Sequence, residues 1–188
     1  MSVKVDTVFS LAIETTGFSH ECDRSTGHQM VSVGLIAADA EDFKVRDGIH
    51  FTIKWNGESD WTEEAQRIHK LDKDSGDLTE EEAAAQIANF FIKHNELEPI
   101  VLLGHNIESF GYYFIRSILD KYGLSEIIIS TRSMDTFTLG KTLYGLDSQK
   151  QMFNFLRVGV PKHTLDKSKA YLKLFRITKK LWSEVYEK

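Results

Sequence analysis

Residues 8–17 read Val8-Phe9-Ser10-Leu11-Ala12-Ile13-Glu14-Thr15-Thr16-Gly17, a short apolar run closed by a turn-forming Thr-Thr-Gly. Such a run predicts a buried strand ending in a turn. Beyond it, the polar stretch from Ser19 to Gln29 predicts a loop, and Met30 to Ala38 (MVSVGLIAA) predicts a second strand. Gly48 to Trp55 (GIHFTIKW) alternates and stops at Asn56-Gly57, a strong turn signal. These three strands follow one another in meander order.

The next segments change period. From Trp61, WTEEAQRIHKL offers Thr62 as a cap and Glu63 and Glu64 in the first turn, and it spaces Ala65, Ile68 and Leu71 as a helical face. Thr79 with Glu82 forms a capping-box pattern, and Ala83, Ile87, Phe90 and Phe91 continue an amphipathic helix to about His94. Pro99 opens PIVLLGHN, a buried strand ending at Gly104, and Tyr112 to Tyr122 forms a helix closed by Gly123. Glu126 to Ser130 reads as a fifth short strand. Helices are then expected over Thr136 to Tyr144, from near Thr164, and from Lys179 to the end. A meander followed by strands joined through helices predicts an α/β fold, with a mixed five-stranded sheet covered by helices on both faces. At 188 residues, a single domain spanning the whole chain is expected.

Composition narrows the class of protein. A content of 41% apolar and 27% charged residues excludes disorder, collagen-like repeats and coiled coil. A lone Cys22 cannot pair within the chain, which favours a reducing compartment. The N-terminal segment MSVKVDTVFS lacks the apolar core of a secretory signal and no apolar run reaches ~18 residues, so a cytoplasmic protein with no membrane contact is expected. The net charge of −5 hides an asymmetry: residues 131–188 are basic while the preceding 130 are strongly acidic. A local excess of cations suits an anionic partner, and an acidic surface suits a basic one; a solvated Lys-rich helix is the plainer explanation of the basic end.

Five segments then line up. Ala12 to Gly17 (AIETTG), Ile68 to Leu71 (IHKL), Gly104 to Gly111 (GHNIESFG), Met134 to Thr136 (MDT) and His163 to Ser168 (HTLDKS) occur in order. Together they resemble the DEDDh 3′-to-5′ exonucleases of the ribonuclease H-like superfamily, over roughly residues 7–176. The resemblance implies that fold, and it implies a site where four carboxylates hold two divalent metals while a histidine acts as general base. In this chain the matching positions are Ala12, Glu14, Gly111 and Ser168, with His163 as the histidine. Only Glu14 and His163 keep the family's residue types as candidate catalytic groups. No metal cofactor is therefore expected, because Mg²⁺ requires near-octahedral oxygen ligation; Mg²⁺ or Mn²⁺ enters only if activity is retained. Glu108 and Asp166 are near enough in sequence to be weighed as substitutes, each with its side chain rotated away from the family position.

An emptied site of this kind no longer repels phosphate. The resemblance thus implies a catalytically deficient exonuclease homologue that grips a nucleic-acid 3′ end or single strand without cutting it. Thr15, Thr16, Gly17, His105, Asn106, Lys162 and Lys167 are the candidate contacts, with Lys169 and Lys173 adding charge. Two alternatives stand beside this one. The scaffold serves as a protein-interaction module or homodimer, or the chain is a working nuclease with altered ligands or one inactivated by engineering at Ala12.

Overall fold

The computed structural model describes residues 6–95 and 99–186. The first half of the N-terminal segment read for a secretory signal, and the last two residues of the expected terminal helix, lie outside them. Strands β1 (Thr7–Thr15), β2 (Met30–Asp39) and β3 (Val45–Thr52) form the antiparallel meander. They are followed by α1 (Glu63–His69), α2 (Glu80–His94), β4 (Leu102–Gly104), a single π turn over Ile107–Gly111, and α3 (Tyr112–Lys121). The chain continues through β5 (Met134–Asp135), α4 (Thr136–Tyr144), α5 (Gln149–Phe155) and α6 (Thr164–Tyr186). The sheet order is β3-β2-β1-β4-β5, with β4 parallel to both β1 and β5. No helix among the described residues is long and apolar enough to cross a membrane.

The period-two alternation of β1 divides the core. Phe9 and Leu11 face a layer built on Ile87, Phe91, Phe114 and Ile115 of α2 and α3. Val8 and Ala12 face the opposite layer, where Met152 and Phe153 of α5 meet Tyr171, Leu172 and Leu174 of α6. Helices therefore cover both faces, as expected.

Three expectations need correction. The fifth strand is Met134–Asp135 rather than Glu126–Ser130. Residues 126–130 make only one parallel bridge, Ile100 to Ile129, while Ile127 and Ile129 are buried in the core. The apolar character of Ile127 and Ile129 reflects core burial rather than strand pairing, and Ile128 between them is exposed. The two terminal helices are one, Thr164–Tyr186, because neither Gly nor Pro interrupts it and the Thr178 hydroxyl donates to the Leu174 carbonyl instead of ending the helix. Finally, α1 buries no residue, and Ile68 on its expected core face is 68% exposed. Helix α5 was not anticipated, although Ser148 caps Gln151 N–H and Gln151 accepts from Asp147 N–H, a capping pattern visible as Ser-x-x-Gln.

The seating of α6 on the sheet is set by one glycine. A Cβ on Gly34 of β2 would lie 2.2 Å from Leu165 N and 2.3 Å from the Thr164 carbonyl carbon, so backbone meets backbone. Hydroxyls seal this seam. Ser168 Oγ donates to the Gly34 carbonyl (2.8 Å), Ser10 Oγ donates to the Ser168 carbonyl (2.9 Å), and Ser32 Oγ lies 3.1 Å from Thr164 Oγ1.

At the other end of the meander, Asp47 of β3 binds the end of α2. Lys93 Nζ donates to its carboxylate (2.8 Å) and His94 Nε2 lies 2.9 Å away. The Lys93 hydrogen bond, then the Gly48 N–H and His94, hold the Asp47 carboxyl at about 2.

Gly34→Ala forces α6 off the sheet and should cost about 3 kcal/mol, near the upper end for overpacking, read as a lower urea midpoint. For Asp47 the folded value lies below the unfolded one, so its contribution is present at neutral pH and is lost as pH falls from about 4 to about 2. Asp47→Asn should be less stable than the parent at pH 7 and show a shallower loss of stability across that acid window in urea titrations.

Candidate functional site

Where β1 ends beside the start of α6, a cleft of about 730 Å³ opens. Alternation along β1 places Glu14 on the α6 side, two residues after Ala12. Lys167 Nζ of α6 hydrogen-bonds Glu14 Oε1, and both side chains are largely enclosed, 14% and 16% exposed. One helical turn on, Tyr171 lines the same cleft, and its hydroxyl accepts from Gln149 Nε2 of α5 (2.6 Å). Burial, then the nearby Glu14 and Asp135 carboxylates, push the Tyr171 phenol far up, so it stays protonated.

His105, after β4, stacks on Tyr171 with ring centroids 6.3 Å apart, and its Nδ1 lies 3.0 Å from Thr136 Oγ1. Burial holds its imidazole below the ordinary value, hence neutral at physiological pH. Asn106 follows in the left-handed region (φ 54°) and turns the chain into the π turn. Asp135 fixes that geometry, accepting from Ile107 N–H (2.7 Å) and from Thr138 N–H (2.8 Å), so one carboxylate braces the turn and caps α4.

The opposite wall is apolar and open. Phe18, 48% exposed, sets its ring edge-on to Phe110, and Ile68 of α1 stands beside them in the lining. His69 Nδ1 accepts from Leu71 N–H (2.9 Å), and the ring packs edge-on against Trp61. Its burial lowers the imidazole's affinity for a proton, offset in part by Glu14.

The residues singled out in the sequence do not all meet here. Ala12, Glu14, Thr15, Gly17, His105, Asn106, Gly111 and Lys167 line the cleft. Thr16 does not: it is fully buried, its N–H donates to the Gln29 carbonyl, and its hydroxyl accepts from Gln29 N–H. The Thr15 hydroxyl donates to the Gly17 carbonyl. Both threonine side chains are thus engaged in building the turn. Ser168 is sealed in the α6 seam rather than facing the cleft, and the α6 residue that reaches Glu14 is Lys167, one position earlier. His163 is exposed above β3, its ring 5.6 Å from that of His50, and it is not part of the lining. Lys162 is also exposed outside the cleft, whereas Lys169 and Lys173 border a separate groove along α6. Glu108 accepts from Ser133 Oγ (2.9 Å) and Asp166 pairs with Lys169 (3.0 Å), both away from the lining. Tyr171, Gln149, Phe18 and Arg24 were not anticipated; Tyr171 alone had a signal, its spacing of four from Lys167.

Position 111 has been filled. A Cβ on Gly111 would lie 2.6 Å from Ile107 Cδ1, which occupies the space a larger side chain would need. Among the lining residues the acids Glu14 and Glu64 are matched by Arg24 and Lys167. Among the described residues no group of three or more His, Cys, Asp or Glu is arranged to hold a metal ion. A pair of hard divalent cations needs several oxygen anions, and here the carboxylate at the end of β1 already bonds an ammonium. The residues present do not fit a two-metal centre.

No protein-family model matches the chain, and no curated protein is significantly similar to it. Solved structures are similar in shape. E. coli Exonuclease I in complex with a dT13 oligonucleotide superposes with a TM-score of 0.76 at 13% identity, covering 97% of this chain and 43% of that one. The zinc-bound E. coli ExoI–ssDNA complex gives 0.76 at 13% identity, over 98% and 42%. The ExoI/SSB-Ct complex gives 0.72 at 14% identity, over 98% and 43%. The chain thus spans about two fifths of the length of these proteins, and its fold is the α/β ribonuclease H-like exonuclease fold.

Proposed function

We propose that this chain is a catalytically deficient exonuclease homologue that binds a nucleic-acid single strand or its 3′ end without cleaving it. The observation that carries the reading is the make-up of the cleft. Exposed Phe18 and Ile68, with Phe110, offer a nucleobase an apolar wall, Asn106 offers a polar group, and Lys167 stands beside Glu14 where a metal pair would need anions. Stacking on such walls is worth about 1–3 kcal/mol per base and tolerates any sequence. Of the contacts named from sequence, Thr15, Gly17, His105, Asn106 and Lys167 are retained in this role because they line the cleft. Thr16 supports the turn from behind. Lys162 and His163 lie outside. The setting of this reading is cytoplasmic, in keeping with a single exposed cysteine, Cys22.

A second reading is favoured by one feature. The groove along α6 has an apolar floor of Phe43, Val45, Leu172 and Ile177 and is edged by Lys173, Arg176 and neighbouring lysines, a surface suited to an acidic protein partner.

Fluorescence polarisation with short single-stranded DNA and RNA at two salt concentrations, paired with a cleavage assay in Mn²⁺, separates these readings. Binding without cleavage is expected, weakening as salt rises. Phe18→Ala combined with Ile68→Ala should reduce affinity about tenfold, the equivalent of roughly 1.4 kcal/mol. Removal of nucleotides from the 3′ end would instead identify a working nuclease, and absence of binding at both salt concentrations would leave the protein-docking reading.

A further inference from the structure

We propose that Lys167 is a resident counter-ion: it replaces a metal as the phosphate-binding cation of the cleft, and Glu14 competes with phosphate for it. The inference rests on the nucleic-acid reading above and adds the cation that binding would use and the group that restrains it.

Its basis is the placement of one ion pair. The Gly34 seam fixes the rotation of α6, and this rotation turns Lys167 and Tyr171 into the cleft while Ser168 faces the sheet. The Lys167 ammonium has Glu14 as its partner in a largely enclosed setting. The other charged or titratable groups in the lining are Arg24, Glu64, His20, His69, His105 and Tyr171. Arg24 is tied by its guanidinium to the Ser19 carbonyl (2.9 Å), which braces the loop at the cleft mouth. Lys167 is therefore the lining cation held by a cleft carboxylate, largely enclosed beside the end of β1.

An ammonium binds phosphate as a point charge, without the directional fork of a guanidinium. A phosphate entering the cleft would share or take the ammonium from Glu14, and the displaced carboxylate would then repel the phosphate. Glu14 consequently weakens anion binding in this chain. In a metal-dependent site the same residue would strengthen it, by holding the ions that bind the phosphate. The sign of the Glu14 effect separates the two arrangements.

The experiment measures single-stranded oligonucleotide affinity by polarisation, with chelator or with Mn²⁺, for the parent, Glu14→Gln, Lys167→Met and Lys167→Arg, each checked for a parent-like melting transition. Equal affinity with chelator and with Mn²⁺ is expected. Glu14→Gln should bind about fivefold tighter. Lys167→Met should bind about tenfold weaker, with the slope of log affinity against log salt reduced by about 0.7, and Lys167→Arg should retain binding. A requirement for Mn²⁺, or weaker binding by Glu14→Gln, overturns the proposal while leaving the nucleic-acid reading intact.

Inorganic phosphate is the second probe. With chelator present, it should shift the ¹⁵Nζ resonance of Lys167 in the parent, a readout that does not depend on the Lys167→Met variant folding. A shift with phosphate but no oligonucleotide affinity would sink the nucleic-acid reading and keep the counter-ion. Absence of both effects would remove the two together.

Discussion

The close approach of α6 to β2 at Gly34 is the contact on which the site depends. With no side chain between them, the first turn of the helix rests on the strand backbone, and four hydroxyl-bearing residues, Ser10, Ser32, Thr164 and Ser168, supply the hydrogen bonds of the seam. A helix held this closely has little freedom to rotate. Its rotation decides that the residue meeting Glu14 carries an amine, while a small hydroxyl is left facing the Gly34 carbonyl. A carboxylate at position 168 would face that carbonyl oxygen with no proton to offer, so the seam as built favours a donor there.

Charge balance follows from the same geometry. Enclosing an unpaired carboxylate costs several kcal/mol, and pairing it with an ammonium offsets much of that cost without adding much net stability. Glu14 and Lys167 satisfy each other, and Arg24 with Glu64 completes a lining of balanced formal charge. The cleft keeps its shape through uncharged groups. Tyr171, His105 and Gln149 form one wall by stacking and hydrogen bonding, and Phe18, Ile68 and Phe110 form the other. Exposed apolar groups at the mouth of a cleft are more informative than the same residues scattered singly, because no core contact accounts for them.

The larger elements were legible because their signals are local. Strands β1 and β2 are apolar runs ended by turn residues, and α2 begins with a capping box that the structure forms in full. Local signals misled where burial and pairing come apart. Ile127 and Ile129 are buried in the core while Ile128 between them is exposed, yet the sheet edge is made by Met134–Asp135, whose pairing with β4 leaves no mark in their composition. Ile68 looked like part of a core face and instead stands in the cleft wall, because helical spacing says which residues share a side and nothing about what that side meets.

The α/β class, the three-strand meander, the buried strand ending at Gly104 and the chemical identity of the site positions, including the absence of acids at 12, 111 and 168, are legible in the chain alone. These are properties of residue type and of spacings of two to four residues, which short-range sterics and hydrogen bonding impose on any chain. Long-range packing settles that Lys167 meets Glu14, that Ser168 turns away, that Ile107 fills the space at Gly111 and that His163 stands apart above β3. The first two of these hang on the rotation of α6 about its axis, whereas Ile107 reaches Gly111 from within its own π turn. A 100° step per residue means that a backbone contact at Gly34, more than 130 positions from its partner along the chain, selects which side chain enters the cleft.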